Sequence, residues 1–260
     1  KLTANIADHA DVYGGRALVF DGVSDYLDCG TGLGNQLGDY SGDLTVSMWI
    51  KPTSTSVDEG FFNIGPFTSN NYGGFVFHIY QNKLYLTLNS NGWRTYCTFT
   101  NTDWTFVTAV YKAGSDDSNT KIYVNGESQS LTPSGSWVSS LNFSSQKTII
   151  GAYYGTIYAF TGSISDTKVF DSALTEAQVQ ELYLKPEQSA PSTVQDNLVA
   201  WYPMCEGNPE SPQSIVYDHS EKKLGTNVVK NPLLLSHISP HGNNTEELLP
   251  NGYFKFTNPS

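Results

Sequence analysis

Gly151-Ala152-Tyr153-Tyr154-Gly155-Thr156-Ile157-Tyr158-Ala159-Phe160-Thr161-Gly162-Ser163-Ile164-Ser165-Asp166-Thr167-Lys168-Val169-Phe170-Asp171-Ser172-Ala173-Leu174-Thr175 is the stretch that decides the fold. It reads as a strand, a tight turn crowded with aromatic rings, a second strand and the start of a capped helix. Thr175-Glu176-Ala177-Gln178 has the form of a capping box, with Thr175 as N-cap and Gln178 at the third helical position. Val179, Leu182 and Tyr183 form its apolar stripe, and Lys185-Pro186 stops it. A cap worth about 1 kcal/mol and so short a stripe predict a small lid on the edge of a sandwich.

Period-two patterns surround this stretch. Leu44, Val46, Met48 and Ile50 alternate with Thr45, Ser47 and Lys51, giving one apolar face. Phe75, Phe77 and Ile79 do the same, and so do Leu84, Leu86 and Leu88, which leaves Lys83, Tyr85 and Thr87 outward. Tyr80-Gln81-Asn82 reads as a hairpin connection, and Asn125-Gly126 as another. Trp104 to Tyr111 is apolar on both faces, as expected of a central strand covered on two sides. Short strands at regular spacing predict a sandwich rather than βαβ units.

With Ala17-Leu18-Val19-Phe20-Asp21-Gly22-Val23-Ser24-Asp25-Tyr26-Leu27, Leu44 to Ile50 and Trp104 to Tyr111, the opening stretch resembles the laminin-G-like family of concanavalin A-type jelly rolls, over residues 14–184. The resemblance implies an all-β, antiparallel two-sheet jelly-roll sandwich with a short capped helix and a C-terminal β appendage. The expected organisation is a jelly roll over 1–184, a Pro/Ser/Gln/Glu-rich linker over 185–197 and a C-terminal segment over 198–260. Leu198-Val199-Ala200-Trp201-Tyr202 looks like the family's opening strand, and Tyr217-Asp218-His219-Ser220 like its Tyr-Asp-x-Ser step. No such strand precedes Gly14. Residues 197–220 therefore have three roles open to them: starting a truncated second module, completing the first in cis, or completing a neighbouring copy in trans by strand addition.

Bulk composition removes several classes. Of 260 residues, 14 are Lys or Arg against 25 Asp or Glu, so the formal charge is −11 and no basic face is available for nucleic acid. No apolar run reaches the ~18 residues of a spanning helix, so membrane insertion is not expected. Aromatics at 13% and charged residues at 15% suit pleated surfaces packed with bulky rings. Cys29, Cys97 and Cys205 lack metal-ligand spacing, and an odd count leaves one thiol over; a Cys29–Cys97 bridge is one pairing open to them.

Three chemistries are open to such a chain. Glycoside hydrolysis needs two carboxylates flanking the bond; the Glu-x-Asp-x-x-Glu run of concanavalin-like glucanases is missing, and Asp58-Glu59 and Glu246-Glu247 read as solvated loop acids. Calcium is implied by the family resemblance, at Asp21, Asp25 and Asp166, although Ser165 stands where the family has a second acid. Sugar recognition needs amides and rings together on exposed loops. Asn70, Asn71 and Tyr72 in one loop, Asn91 and Trp93 at a hairpin tip, and the turn rings Tyr153 and Tyr154 are the candidate ligand-binding residues. The expected function is non-catalytic recognition or adhesion, with a glycan or cell-surface protein as partner, at an extracellular, cell-surface or virion-surface location. The alternative is a structural subunit of a fibre, surface layer or filament, whose copies join through Leu198, Val199, Trp201 and Tyr202.

Overall fold

Two antiparallel sheets face one another across an aromatic core. A computed structural model describes residues 17–204 except 41, 66, 69–70, 73, 89–92, 115, 140, 154–156 and 187, and in addition 216–220, 227–228 and 233–235. The first sheet runs, in spatial order, β13 (Glu127–Ser128), β12 (Lys121–Val124), β11 (Thr105–Tyr111), β4 (Leu44–Pro52), β17 (Thr161–Phe170), β1 (Ala17–Asp21) and β20 (Leu233–Leu235), with β18 (Leu198–Tyr202) also paired to β17. The second runs β14 (Thr132–Ser134), β10 (Trp93–Thr98), β9 (Lys83–Leu88), β8 (Phe75–Tyr80), β5 (Glu59–Ile64), β16 (Thr148–Ile150), β2 (Leu27–Asp28) and β19 (Asn227–Val228). Two short ribbons pair β3 (Asp39–Tyr40) with β15 (Leu141–Asn142), and β6 (Phe67–Thr68) with β7 (Asn71–Tyr72).

Alternation drives this arrangement. Leu84, Leu86 and Leu88 are fully buried on one face of β9, and Phe75, Phe77 and Ile79 on the same face of β8. The β8–β9 hairpin turns at Gln81 and Asn82, with φ of 49° and 59°; Asn125 and Gly126 repeat the geometry at 51° and 79°. Positive φ at both central residues twists such turns to match the strands. Between the sheets, Phe61 meets Phe77 and Phe160 edge-on, with ring centroids 4.8 and 6.1 Å apart. Such pairs contribute about 0.5–1.5 kcal/mol each beyond burial. Cys29 and Cys97 lie in this core and no disulfide joins them.

The outer face of the first sheet is covered. Trp49, Phe106, Val110, Tyr123 and Phe170 pack there against Val179 and Leu182. Those last two belong to helix α2 (Glu176–Leu184); a shorter helix, α1, spans Gly32–Leu37. The capping box forms, with the Thr175 amide donating to Gln178 Oε1 at 2.8 Å and the Gln178 amide donating to Thr175 Oγ1 at 3.4 Å. The lid expected at the sandwich edge lies over the sheet face, because the outward rings of β4 and β11 need apolar cover. Residues expected to be only linker also contribute: Ala190 joins this cluster, as does Val194 from the 3-10 helix Ser192–Asn197. α1 forms on a glycine-rich run that includes Gly32 and Gly34, and Leu33 and Leu37, one turn apart, are both buried.

β17 gives one edge to β4 and shares the other between two strands. β1 pairs with Thr161–Ile164, and β18 with Thr167–Phe170. Residues 198–202 thus pair within the same chain. Between the two pairings, Asp166 takes a φ of 51°. Its carboxylate meets the Lys168 ammonium at 2.6 Å, both side chains being 1% exposed. Trp201 covers them, its indole N–H donating to Asp166 Oδ1 at 2.7 Å. Asp218 Oδ1 in turn accepts from the amides of Trp201 and Ser220, each at 2.9 Å. The Tyr-Asp-x-Ser step is therefore a carboxylate clamp on β18.

Candidate functional site

The outer face of the second sheet carries rings and polar groups where the pleat alternates with the core. Register sets His78 beside Tyr85 and Tyr85 beside Tyr96, forming one row across β8, β9 and β10. Val76, Thr87 and Arg94 form the next row. His78 stacks on Tyr85 with centroids 5.0 Å apart and planes at 20°. Tyr85 and Tyr96 lie 4.9 Å apart, and the Lys83 ammonium sits 4.3 Å over the Tyr96 ring.

Two loops wall this surface. The aromatic turn after β16 brings Tyr153 and Tyr158, with rings 4.8 Å apart. Asp58 arrives on the segment just before β5. Gly60 makes room for Tyr153: a β-carbon there would lie 2.1 Å from Tyr153 Cδ1. Asn63 fixes the turn from β5, its Nδ2 donating to the Tyr153 carbonyl at 2.6 Å. The result is a cavity of about 200 Å³ whose walls include Asp58, His78, Tyr85, Thr87, Arg94, Tyr153 and Tyr158. It is smaller than the ~300–1,000 Å³ of drug-sized pockets, and fits one small ring or group at a time.

A buried polar network sits at one end. The Tyr153 hydroxyl donates to Asp58 Oδ1 at 2.6 Å and also touches His78 Nδ1. His78 Nδ1 lies 3.3 Å from the same carboxylate oxygen, and His78 Nε2 lies 3.0 Å from Thr87 Oγ1. Burial pushes the His78 imidazole below its ordinary pKa, against the pull of Asp58; the Arg94 charge acts in the same direction as burial. Burial also raises the Tyr153 phenol, reinforced by Asp58. A neutral imidazole and a protonated phenol result.

Thr87, His78 and Asp58 follow a hydroxyl–imidazole–carboxylate order, the pattern that activates nucleophiles. The described residues around them do not complete an acyl-transfer site. Thr87 is in the middle of β9, where its backbone belongs to the ladder with β8 and β10, so its amide is not free as an oxyanion donor. Nor do the described residues of the cavity wall supply a carboxylate pair. Asp58 lines it, whereas Glu59 is 5% exposed, is bonded to Thr161, and has its pKa raised by burial. What the arrangement offers is ring faces, a guanidinium, hydroxyls and a carboxylate acceptor.

The structure separates the residues expected from sequence. Tyr153 belongs to the cavity wall, although it is 7% exposed and anchors the network instead of standing free. Trp93, expected at an exposed tip, is 2% exposed; its indole N–H donates to Asp117 Oδ2 at 2.8 Å, and its ring meets Trp137 edge-on at 5.0 Å. It faces the core because Arg94, its neighbour in the strand, faces out. Asn71 and Tyr72 form β7, paired with Thr68 and Phe67. Asn70, Asn91 and Tyr154 lie outside the described residues. Sequence reading missed His78, Tyr85 and Arg94, for which the signal was the outward half of the same alternation.

The three acids expected around calcium do not form one site. Asp21 Oδ1 accepts from the amides of Val23, Ser24 and Asp25 at 2.8, 2.7 and 3.0 Å, and Asp25 Oδ2 accepts from the Asp21 amide at 3.1 Å. Burial opposes ionisation of Asp21, but these amides outweigh it and hold its pKa at about 2. Gly22, at φ +72°, closes the turn against Thr161. Asp166 is five residues further along β17 from Thr161, the register partner of Asp21, which is ~17 Å at ~3.4 Å per residue. Lys168 already neutralises it. No group of three His, Cys, Asp or Glu side chains suited to a metal occurs among the described residues.

Comparison with known proteins places this geometry. No curated protein matches the sequence. Among solved structures, a protein of Bacteroides ovatus ATCC 8483 provisionally described as carbohydrate-binding aligns with TM-score 0.59 and 17% identity over 84% of this chain and 59% of that one. This chain thus spans less than two thirds of that relative's length. Domain 4 of the extracellular arabinanase AbnA from Geobacillus stearothermophilus, solved with arabinotriose, aligns at TM-score 0.48 and 20% identity over 67% of this chain and 80% of that one. The CBM40 domain of a Ruminococcus gnavus sialidase, bound to α2,3-sialyllactose, aligns at TM-score 0.47 and 15% identity over 65% of this chain and 99% of that one. No helix among the described residues is long and apolar enough to cross a membrane. A family model described as the concanavalin A-like lectin/glucanases superfamily matches residues 21–180, and with two facing antiparallel sheets to carry that match, the chain belongs to this superfamily.

Proposed function

We propose that this chain is a non-catalytic recognition module that binds carbohydrate on the outer face of its second sheet. The observation that carries the reading is one cavity combining the Tyr85 and Tyr158 rings with Arg94, Thr87 and a single carboxylate, Asp58. Sugars present CH faces that stack on rings and hydroxyls that exchange hydrogen bonds with polar groups. The lectin side of the superfamily and the Bacteroides ovatus relative support the same reading. The glucanase side would call for two carboxylates flanking a bond, and the cavity wall supplies one. Such a module works outside the cell or at its surface, where free glycans and glycoproteins are met.

Glycan-array capture by the purified chain tests this, alongside Tyr158→Ala. That ring is 44% exposed, so its loss leaves the fold intact. Capture by the wild type, weakened by about 0.5–1.5 kcal/mol in the variant, is the expected result. A folded protein that captures no glycan, or one that releases new reducing ends from a captured glycan, overturns the recognition or the non-catalytic half respectively.

A further inference from the structure

We infer that the cavity is selective for a saccharide carrying a single carboxylate, with Arg94 as the group that receives it; this rests on the carbohydrate reading above. The chain has two arginines, Arg16 and Arg94, among 14 cationic residues. Arg94 is the one that lines this cavity. It is exposed and makes no ion pair among the described residues. Its backbone is held on both sides, opposite Thr87 of β9 and Ser134 of β14, so the guanidinium projects from a rigid strand. A planar five-donor fork matches a carboxylate with two parallel hydrogen bonds, which a neutral hydroxyl does not exploit.

The opposite end of the cavity has the opposite polarity. Asp58 reaches the cavity from the β5 side and contacts His78, which contacts Thr87, the register partner of Arg94. Tyr153 and His78 occupy Asp58 Oδ1. Its Oδ2 accepts no bond among the described residues and the side chain is 27% exposed, so that oxygen is open to a sugar hydroxyl. A bound acidic sugar is therefore oriented, with its carboxylate toward β10 and its hydroxyl edge toward Asp58. The stacked His78–Tyr85 pair between them provides the floor. A formal charge of −11 repels dense polyanions, which confines the preference to a lone carboxylate met locally.

The test is an array holding matched glycans, each displayed as a uronic acid form and as the same glycan with its carboxylate reduced to an alcohol, together with heparin. Wild type, Arg94→Gln and Arg94→Lys are compared after melting curves confirm that all three fold. The wild type is expected to capture the carboxylate member of a pair about tenfold or more tightly than its reduced partner, the loss typical of one charge-assisted bond. Arg94→Gln erases that difference, and Arg94→Lys restores only part of it. Equal capture of both members, a preference that survives in Arg94→Gln, or strongest capture of heparin overturns the inference while the carbohydrate reading stands. Capture of no glycan removes both.

Discussion

Tyr153 and Asp58 meet at 2.6 Å although 95 residues separate them in the chain. This one hydrogen bond ties the aromatic turn after β16 to the segment before β5, and it closes the end of the cavity where His78 sits. Tyr153→Phe keeps the ring and removes the donor. Asp58 and His78 then lose a partner in a partly buried site, which costs about 1–3 kcal/mol. Chemical denaturation is expected to show that loss, and array capture is expected to weaken as the Asp58 carboxylate moves from its place.

His78 makes stability depend on pH. Its folded pKa lies below the ordinary 6.5 because burial disfavours the charged ring. The unfolded chain therefore takes up the proton first, so the stability contribution is complete above about 6.5 and drains as pH falls below that value. Glu59 runs the other way, since burial raises its carboxyl and acidification favours its folded form. The comparison that isolates His78 is wild type against His78→Gln, melted at intervals from neutral pH downward. The wild type is expected to lose more Tm than the variant below pH 6.5; parallel curves would refute the assignment.

Trp93 is a core residue and its removal should register in stability before binding. The ring is 2% exposed, donates to Asp117 and packs on Trp137. Trp93→Ala is expected to cost about 3–5 kcal/mol. A denaturant midpoint unchanged from the wild type would show that the ring stands free at the tip.

The sequence made the scaffold readable and the site only in halves. Local chemistry sufficed where the signal was local: positive-φ hairpins at Gln81-Asn82 and Asn125-Gly126, the Thr175–Gln178 box, and the inward leucines of β9. Alternation also told that Lys83, Tyr85 and Thr87 face outward. It could not tell that hairpin register would align His78, Tyr85 and Tyr96 into one row, nor that Asp58 and Tyr153 would converge on it. Trp93 was misplaced by its polar neighbours, although Cys97, four residues on and likewise buried, lies on the same face under the period-two rule. Family position grouped Asp166 with Asp21, whereas strand length separates the two and Lys168 pairs with Asp166.

The Asp166–Lys168 pair makes β18 an integral part of the sandwich. Both groups are 1% exposed, and Trp201 both bonds Asp166 and lies 5.4 Å from the Lys168 ammonium. Lys168→Met leaves a carboxylate buried without its cation and is expected to cost about 3–5 kcal/mol. Adding Asp166→Asn removes the orphan charge, so the double variant should be more stable than Lys168→Met alone, a non-additivity that a double-mutant cycle measures directly. Deleting everything from Leu198 onward takes away Trp201 and Tyr202 and opens the pair to water along the edge of β17. That shortened chain is expected to lose its cooperative unfolding transition. A sharp transition at the wild-type midpoint would show that β1 alone suffices to close this edge and that the strand at 198–202 is dispensable to the fold.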